Sequence, residues 1–310
     1  DLQFDVKSSF YSVLASRGIL KQRKLQLDNA TKNYEVAEGR RKFGVAKLSD
    51  VLQVSVRLEQ ARYNLVQSEG TLQKTLSELS SLIGRPVVSA DDLKGAFTFD
   101  IPLPDETQLS DAQMRRPEIL QAELAVKRAE SNQSLATGDF FPVISGNLAY
   151  SRSDDTIANS IPPFVNPLED RSATLQATWN LFEMGKFYRR KAASIDILTS
   201  GENLKETKRR LQLELRKSYE DFVTALRNVK VAIEQDKQAQ QNYDQAFGEY
   251  KVGKGDILSL VVAETLLSQA REQMVSSALN LYLSKALLER TAGIESLENF
   301  PLDAKASSTP

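Results

Sequence analysis

The chain contains no cysteine and no histidine among its 310 residues. That removes thiolate nucleophiles, the Ser-His-Asp arrangement and the usual zinc ligand sets. A disulfide framework is excluded for the same reason. Carboxylates are plentiful, but they are spread along helix-like faces and no cluster stands apart from ordinary surface charge. An enzyme, a metal centre and a bound cofactor are therefore not expected. The charges worth attention sit where glycine interrupts the pattern. KFGVAKLSD (42–50) carries Asp50, and YKVGKGD (250–256) carries Lys254 and Asp256. Charges at a turn can cap a helix, attract or repel ions and pair with one another; they make no covalent bonds.

These turns must be held by long helices. Glycine (14) and proline (10) are scarce, aromatics make up 7%, and the bulk is Leu, Ala, Ser, Gln, Glu, Lys and Arg. Such a composition favours helices. A formal net charge of −1 argues against nucleic-acid binding through a basic surface. No stretch approaches 18 consecutive apolar residues, so no membrane-spanning helix is expected. The first residue is Asp and the first residues already read as helix, which suggests a processed or truncated start.

The two turns belong to an internal repeat. Residues 34–84 align with 243–293 without a gap, matching Tyr34 to Tyr243, Gly39 to Gly248, Gly44 to Gly253 and Gly84 to Gly293. LEQAR (58–62) falls on LSQAR (267–271). In the first copy Val51, Leu58, Leu65, Leu72 and Leu79 are spaced by seven. In the second copy the series is Leu260, Leu267, Met274, Leu281 and Leu288. Three residues after each lies a second, mostly small series: Val54, Ala61, Ser68, Thr75 and Leu82, and Ala263, Ala270, Ser277, Ser284 and Thr291. Alternating spacings of three and four make a coiled-coil seam. A preceding stripe through Leu211, Leu215, Tyr219, Phe222, Leu226, Val229 and Ile233 predicts a partner helix from about 187 to 250, roughly 95 Å long. Gly44 and Gly253 suit helix C-caps, and Asp50 and Asp256 suit the next helix starts. Each copy reads as a long antiparallel hairpin with a tight tip.

The expected organisation follows. Residues 1–84 form the first helical hairpin and 85–116 a loop-rich linker. Residues 117–138 form a short helix opened by Pro117. Residues 139–186 hold two strands with a connecting loop at 153–170. Residues 187–293 form the second hairpin, and 294–310 a tail. In the strands the period changes to two. Ile144, Leu148 and Tyr150 oppose Ser145, Asn147 and Ser151. Ala173, Leu175, Ala177, Trp179 and Leu181 oppose Ser172, Thr174, Gln176, Thr178 and Asn180. Each run is about ten residues, the length of a tilted strand crossing a bilayer, with aromatics near its ends. The same alternation fits a hairpin packed on a soluble core. The context favours lipid, because no other apolar layer is evident to cover these faces.

Several stretches resemble one family. RRPEILQAELAVKRAESNQSLATGDFFPVISGNLAY (115–150) is similar to the signature stretch of the TolC-family outer-membrane efflux proteins. WNLFEMGKFYRRKAAS (179–194) resembles their return strand, and FGVAKLSDVLQVSVRLEQAR and YKVGKGDILSLVVAETLLSQAR resemble their two periplasmic tips. The resemblance implies a mainly α fold with a small β part. Long antiparallel helical hairpins would form a trimeric α-barrel, and membrane strands would contribute to a shared β-barrel. It also implies a homotrimer in the outer membrane of a Gram-negative bacterium, extending into the periplasm. Its partners would be outer-membrane lipid, a periplasmic adaptor and an inner-membrane transporter, and its function that of a passive exit duct for efflux or type I secretion. The competing readings are a periplasmic adaptor and a structural coiled-coil connector, neither with a pore.

The resemblance assigns roles to residues. Asp50, Lys254 and Asp256 are the tip gate candidates, with Lys47 a further pairing partner. Gly44, Val45, Ala46, Gly253 and Gly255 are the adaptor-docking candidates. Ile144, Leu148, Tyr150, Leu175, Ala177, Trp179 and Leu181 face lipid. Two departures stand out. The family contributes four strands per chain where two are found, so the N-terminal part of the first repeat is expected to be missing. The carboxylates the family often carries just inside the second tip correspond to Ser259 and Val262, which are not acidic.

Overall fold

The computed structural model of the protein describes residues 2–86, 93, 95–99, 101–155 and 166–297. The elements in chain order are α1 (Leu2–Lys42), α2 (Leu48–Ile83), α3 (Glu106–Gln113), α4 (Pro117–Gly138), β1 (Val143–Asp155), β2 (Asn166–Thr178), α5 (Met184–Lys251) and α6 (Ile257–Ala292). The chain divides into two compact units, residues 1–116 with 210–310, and residues 117–209. α5 begins in the second and continues into the first.

In the first unit α1 and α2 form one hairpin, and the later part of α5 pairs with α6 in another. The turns are dictated by glycine. The positive-φ residues are Gly44 (73°), Gly84 (67°), Gly253 (84°) and Gly293 (74°), which are two repeat-matched pairs. At each tip the amide after the glycine reaches five residues back: Val45 N donates to Arg40 O at 3.0 Å, and Lys254 N to Glu249 O at 2.9 Å. This is the Schellman closure, and it requires a left-handed residue that glycine adopts without a Cβ clash.

The heptad seams lie inward. Val51, Leu58, Leu72 and Leu79 are buried in α2, as are Val54, Ala61 and Ser68. Towards the end of α2 the buried position moves to Leu76 while Leu82 is exposed. A straight helix drifts about 20° per heptad against a strict seven-residue repeat, so the seam migrates. The two copies are not equivalent in burial. Eight residues of α2 are buried, against eighteen of α6, although each has 36 residues. α6 packs on two sides, against α5 and against α1. Ala37, Val51 and Val54 share one cluster with Tyr243, Tyr250, Ile257, Leu260 and Leu267.

The stretch 85–116, expected to be a linker, contains α3. Asp105 caps it, its carboxylate accepting from Thr107 N at 3.0 Å. Leu109 drops into a cluster with Leu215, Tyr219, Phe222, Leu281 and Leu288. Eight residues give too short a period to read, and the cap shows only once Leu109 has a core to enter. The C-terminal segment is pinned at its start, where Leu297 is buried and its amide donates to Glu289 Oε1 at 3.0 Å. The remainder of the expected tail, 298–310, lies outside the described residues.

In the second unit β1 and β2 pair antiparallel from Val143↔Thr178 to Asp155↔Asn166. The loop expected over 153–170 is therefore narrower. Pairing takes in 153–155 and 166–170, and 156–165 lie outside the described residues. Ladder hydrogen bonds join backbones and continue past the end of the apolar pattern. β2 ends at Thr178, so Trp179 and Leu181 follow the strand instead of belonging to it, and α5 starts at Met184 instead of 187. The turn from strand to helix is held by Trp179 Nε1 donating to Phe140 O at 3.1 Å, by the Phe140–Phe187 edge contact at 5.2 Å, and by Lys186 Nζ donating to Asn180 O at 3.1 Å.

Two repeat-matched glycine pairs give opposite expectations. Gly248 is inside α5 with open space where a Cβ would stand, so Gly248→Ala should stabilise by about 0.5–1 kcal/mol. Gly253 is left-handed, so Gly253→Ala should destabilise by about 1–2 kcal/mol. Denaturant unfolding of the purified variants checks both signs.

Candidate functional site

The helical tips and the strand hairpin are the two surfaces to which the sequence assigned roles. At the first tip Asp50 is half-buried on the first turn of α2. Its carboxylate accepts from Lys47 N at 3.1 Å and from Ser49 Oγ at 3.3 Å. Lys47 has no side-chain acceptor to return the bond, so α2 begins with half a capping box. At the second tip Asp256 is the N-cap of α6 and accepts from Ser259 N at 2.7 Å and Ser259 Oγ at 3.3 Å. Among the described residues no ion pair joins Asp50 or Asp256 to Lys47 or Lys254. Val45, Gly44, Gly253 and Lys254 are exposed; Ala46 and Gly255 are half-buried. A Cβ on Gly255 would stand 3.1 Å from Tyr250 N, so this turn tolerates no side chain without shifting.

The residue that joins the tips was not singled out from sequence. Arg40, on the last turn of α1, lays its guanidinium over the Tyr250 ring at 4.3 Å and donates to the Tyr250 backbone oxygen. It thereby adds a second donor to a carbonyl that also accepts from Gly253 N at 3.1 Å, and places positive charge at the negative end of the helix. Tyr250 is buried, and burial raises its hydroxyl above the usual tyrosine range; Arg40 opposes the rise and Asp50 adds to it. The only sequence signal was a cluster of basic residues closing α1, Arg40, Arg41 and Lys42.

Further along the hairpins a polar trio is buried between helices. Asn33 of α1 is 1% exposed and Glu264 of α6 is 7% exposed. Asn33 Nδ2 donates to Glu264 Oε2 at 2.8 Å, and Tyr243 Oη of α5 donates to Asn33 Oδ1 at 3.0 Å. Burial raises the Glu264 carboxyl above its ordinary range, against the Asn33 hydrogen bond and the Arg57 charge. Burial, then the Glu264 charge, raises the Tyr243 hydroxyl in the same way. Glu264 lies beside seam residue Ala263, but a seam read from one helix pair gives no reason to bury it. The second neighbour, α1, does.

The strand register brings the two apolar runs onto one face. Ile144 faces Ala177, Leu148 faces Ala173 and Gly146 faces Leu175; Tyr150 meets Arg171, whose guanidinium lies 5.6 Å from the ring centre. The opposite face pairs Ser145 with Gln176, Asn147 with Thr174 and Ala149 with Ser172. Nothing in the described chain covers the apolar face: Leu148 is 86% and Leu175 81% exposed, and Ile144, Tyr150, Trp179 and Leu181 are exposed with them. Leaving one such side chain in water forgoes about 1.5–3 kcal/mol. Several together rival a domain's whole stability of about 5–15 kcal/mol. A second uncovered stripe runs along α2 through Leu52, Val56, Tyr63 and Val66. Its spacings suit another helix.

Comparison with known proteins bears on the family and the fold. The family model described as outer membrane efflux protein matches residues 2–85 and 108–293. The pyoverdine export outer membrane protein OpmQ of Pseudomonas aeruginosa is 26% identical over 275 residues, covering 87% of this chain and 56% of OpmQ. The toluene efflux pump outer membrane protein TtgC of Pseudomonas putida is 24% identical over 311 residues, covering 93% of this chain and 59% of TtgC. The chain thus spans somewhat over half the length of these curated relatives. Among solved structures, the outer-membrane channel OprN superposes with a TM-score of 0.77 at 19% identity, covering 95% of this chain and 66% of OprN.

The Arg40 contact yields a test of how the tips are held. Arg40→Lys keeps the charge but loses the planar stack, and should lower stability by about 1 kcal/mol. It should also raise hydrogen exchange at the 250–255 amides. Exchange measured by mass spectrometry on wild type and variant reads the second effect directly.

Proposed function

The chain belongs to the outer membrane efflux protein family, and from that premise we propose that it forms part of a passive exit duct in the outer membrane of a Gram-negative bacterium, with its helical hairpins in the periplasm. The observation that carries this reading is the β1–β2 hairpin: one face is apolar and uncovered from Ile144 to Tyr150 and from Ala173 to Ala177, and the other is lined mainly with Ser, Asn, Thr and Gln. Lipid satisfies the first face and a water-filled lumen the second. The apolar face would thus present Ile144, Leu148, Tyr150, Leu175 and Ala177 to the bilayer, with Trp179 and Leu181 at its helical end. The α2 stripe of Leu52, Val56, Tyr63 and Val66 supports assembly with further copies of the chain, in a homotrimer.

In this reading the tips are the closed end. Asp50, Lys254 and Asp256, repeated around a narrow axis, set the charge there and act on passing ions. The hydrogen bonds of Asp50 to Lys47 N and of Asp256 to Ser259 N also hold the helix starts, so at these two residues gating charge and local folding share the same atoms. Gly44, Val45 and Ala46, with Gly253 and Gly255, offer compact turns for a periplasmic adaptor that links the duct to an inner-membrane transporter. Exposed Phe43, Val45 and Val252 support such docking. Opening is a shear of the α5–α6 hairpin past the α1–α2 hairpin.

The purified protein should run as a trimer in detergent and conduct in planar bilayers; a non-conducting monomer would overturn the duct. Face assignment is tested separately. Leu148→Arg should cost about 2–4 kcal/mol and block membrane insertion. Asn147→Arg, on the adjacent lumen face, should insert normally and alter ion selectivity. Equal insertion of the two variants would reject the orientation.

A further inference from the structure

Opening by shear would have to break whatever joins the two hairpins in their interior. Asn33 is placed to be that join. One side-chain amide holds α5 through its oxygen, at 3.0 Å from Tyr243 Oη, and α6 through its nitrogen, at 2.8 Å from Glu264 Oε2. Both distances fall within the usual hydrogen-bond range, and a slide of a few ångströms ends them. A single hydrogen-bonded amide would hold without any carboxylate, since glutamine has the same length and could accept the same bond. A glutamate here therefore has a role that a glutamine would lack.

We infer that Glu264 is a proton-linked positioning residue for the gate: parting of the α1–α2 and α5–α6 hairpins releases a proton from its carboxyl, and closure takes one up. The inference rests on the duct reading for its consequence, but not for its geometry. A polar cleft of about 140 Å³ reaches Glu264 and is lined by Arg23 and Gln26 of α1, Arg57 and Gln60 of α2, and Ser268 of α6. Water entering along this cleft as the hairpins part would solvate the carboxylate.

The charged and titratable groups facing this position can be named helix by helix. α1 contributes Arg23, which is paired with Glu272 at 2.7 Å. α2 contributes Arg57, which favours the ionised form without a direct hydrogen bond to it. α5 contributes Tyr243, with Asp244 beside it, and Asp236, whose carboxylate lies 3.9 Å from Arg271. α6 itself contributes Arg271, which donates to Gln240 Oε1 at 2.5 Å, and Glu272. The nearby cations other than Arg57 are thus engaged elsewhere, and burial outweighs what Arg57 and Asn33 supply.

The sign follows. Closed, the carboxyl holds its proton more tightly than an exposed glutamate does, so the closed seam is favoured at low pH. It loses that advantage as pH rises through the raised value. Between the exposed value of about 4.3 and the raised one, the closed-to-open ratio should fall by up to about tenfold per pH unit for each coupled carboxyl.

Conductance of the purified protein in planar bilayers, measured from pH 5 to 8, tests this. Open probability should rise with pH in wild type. In Glu264→Gln it should stay near the low-pH level throughout, and in Asn33→Ala it should be raised at every pH. Hydrogen exchange at the amides of 29–37 and 260–268 gives a readout independent of conduction. Wild-type protection should fall with rising pH, and Glu264→Gln protection should not. A Glu264→Gln variant that keeps the wild-type pH slope, or a wild type with none, overturns the assignment. Absence of conductance with a pH slope in exchange that the variant abolishes would reject the duct and keep the latch.

Discussion

The helical unit depends on the close approach of α6 to two neighbours at once. Its seam carries Ala263, Ala270 and Ser277 between Leu260, Leu267 and Leu281, and Ala278 and Ala286 widen the small-residue surface beyond one seam. Small side chains let backbones come near, and the leucines fill what remains. α5 is held on one side, through Tyr243 and Tyr250 near the tip and through Phe222 and Val229 farther along. α1 is held on the other, where Gly18 faces Val275 at 3.2 Å from a built Cβ. Any larger residue at these places would separate hairpins that must stay in register over their whole length.

Much of this was legible in the sequence, for a definite reason. Seven-residue spacing survives in the chain as a pattern, and left-handed turns admit few residues besides glycine. Leu260, Leu267, Leu281 and Leu288, with Gly44, Gly84, Gly253 and Gly293, therefore announce themselves one by one. The face shared by Ile144, Leu148, Leu175 and Ala177 was equally plain, since a period of two fixes sides before pairing is known. What escaped were interactions made only in three dimensions. Arg40 on Tyr250, and Asn33 between Tyr243 and Glu264, join residues more than 200 positions apart. The repeat does not reveal them, because the two copies occupy different environments: its counterpart of Glu264 is Ser55, on the one-sided α2.

The strand hairpin obeys a different rule from the helices. Helical side chains bury what they can within the chain, and the leftover stripe on α2 is narrow. The hairpin buries almost nothing, yet keeps a continuous ladder of thirteen paired positions. Such a ladder is marginal in water without another layer. It is sustained when lipid replaces the missing layer and further strands close its edges. The same surfaces that look unfinished in the isolated chain are those that a membrane and further copies would complete.

Burial of Glu264 is costly in a seam otherwise built from alanine, leucine and serine. A carboxylate taken out of water loses several kcal/mol of hydration, more than one hydrogen bond to a charged acceptor, about 1.5–3 kcal/mol, restores. A glutamine would keep the Asn33 bond without burying a charge. Burial raises the Glu264 carboxyl above its ordinary range, and in the proposed latch the proton it takes up on closure removes that cost while the Asn33 bond is kept. That exchange of charge for packing is what distinguishes a seam meant to part from one meant only to hold. Farther along α6 the buried Glu289 is instead matched by the Lys7 ammonium at 2.5 Å and by the Leu297 amide.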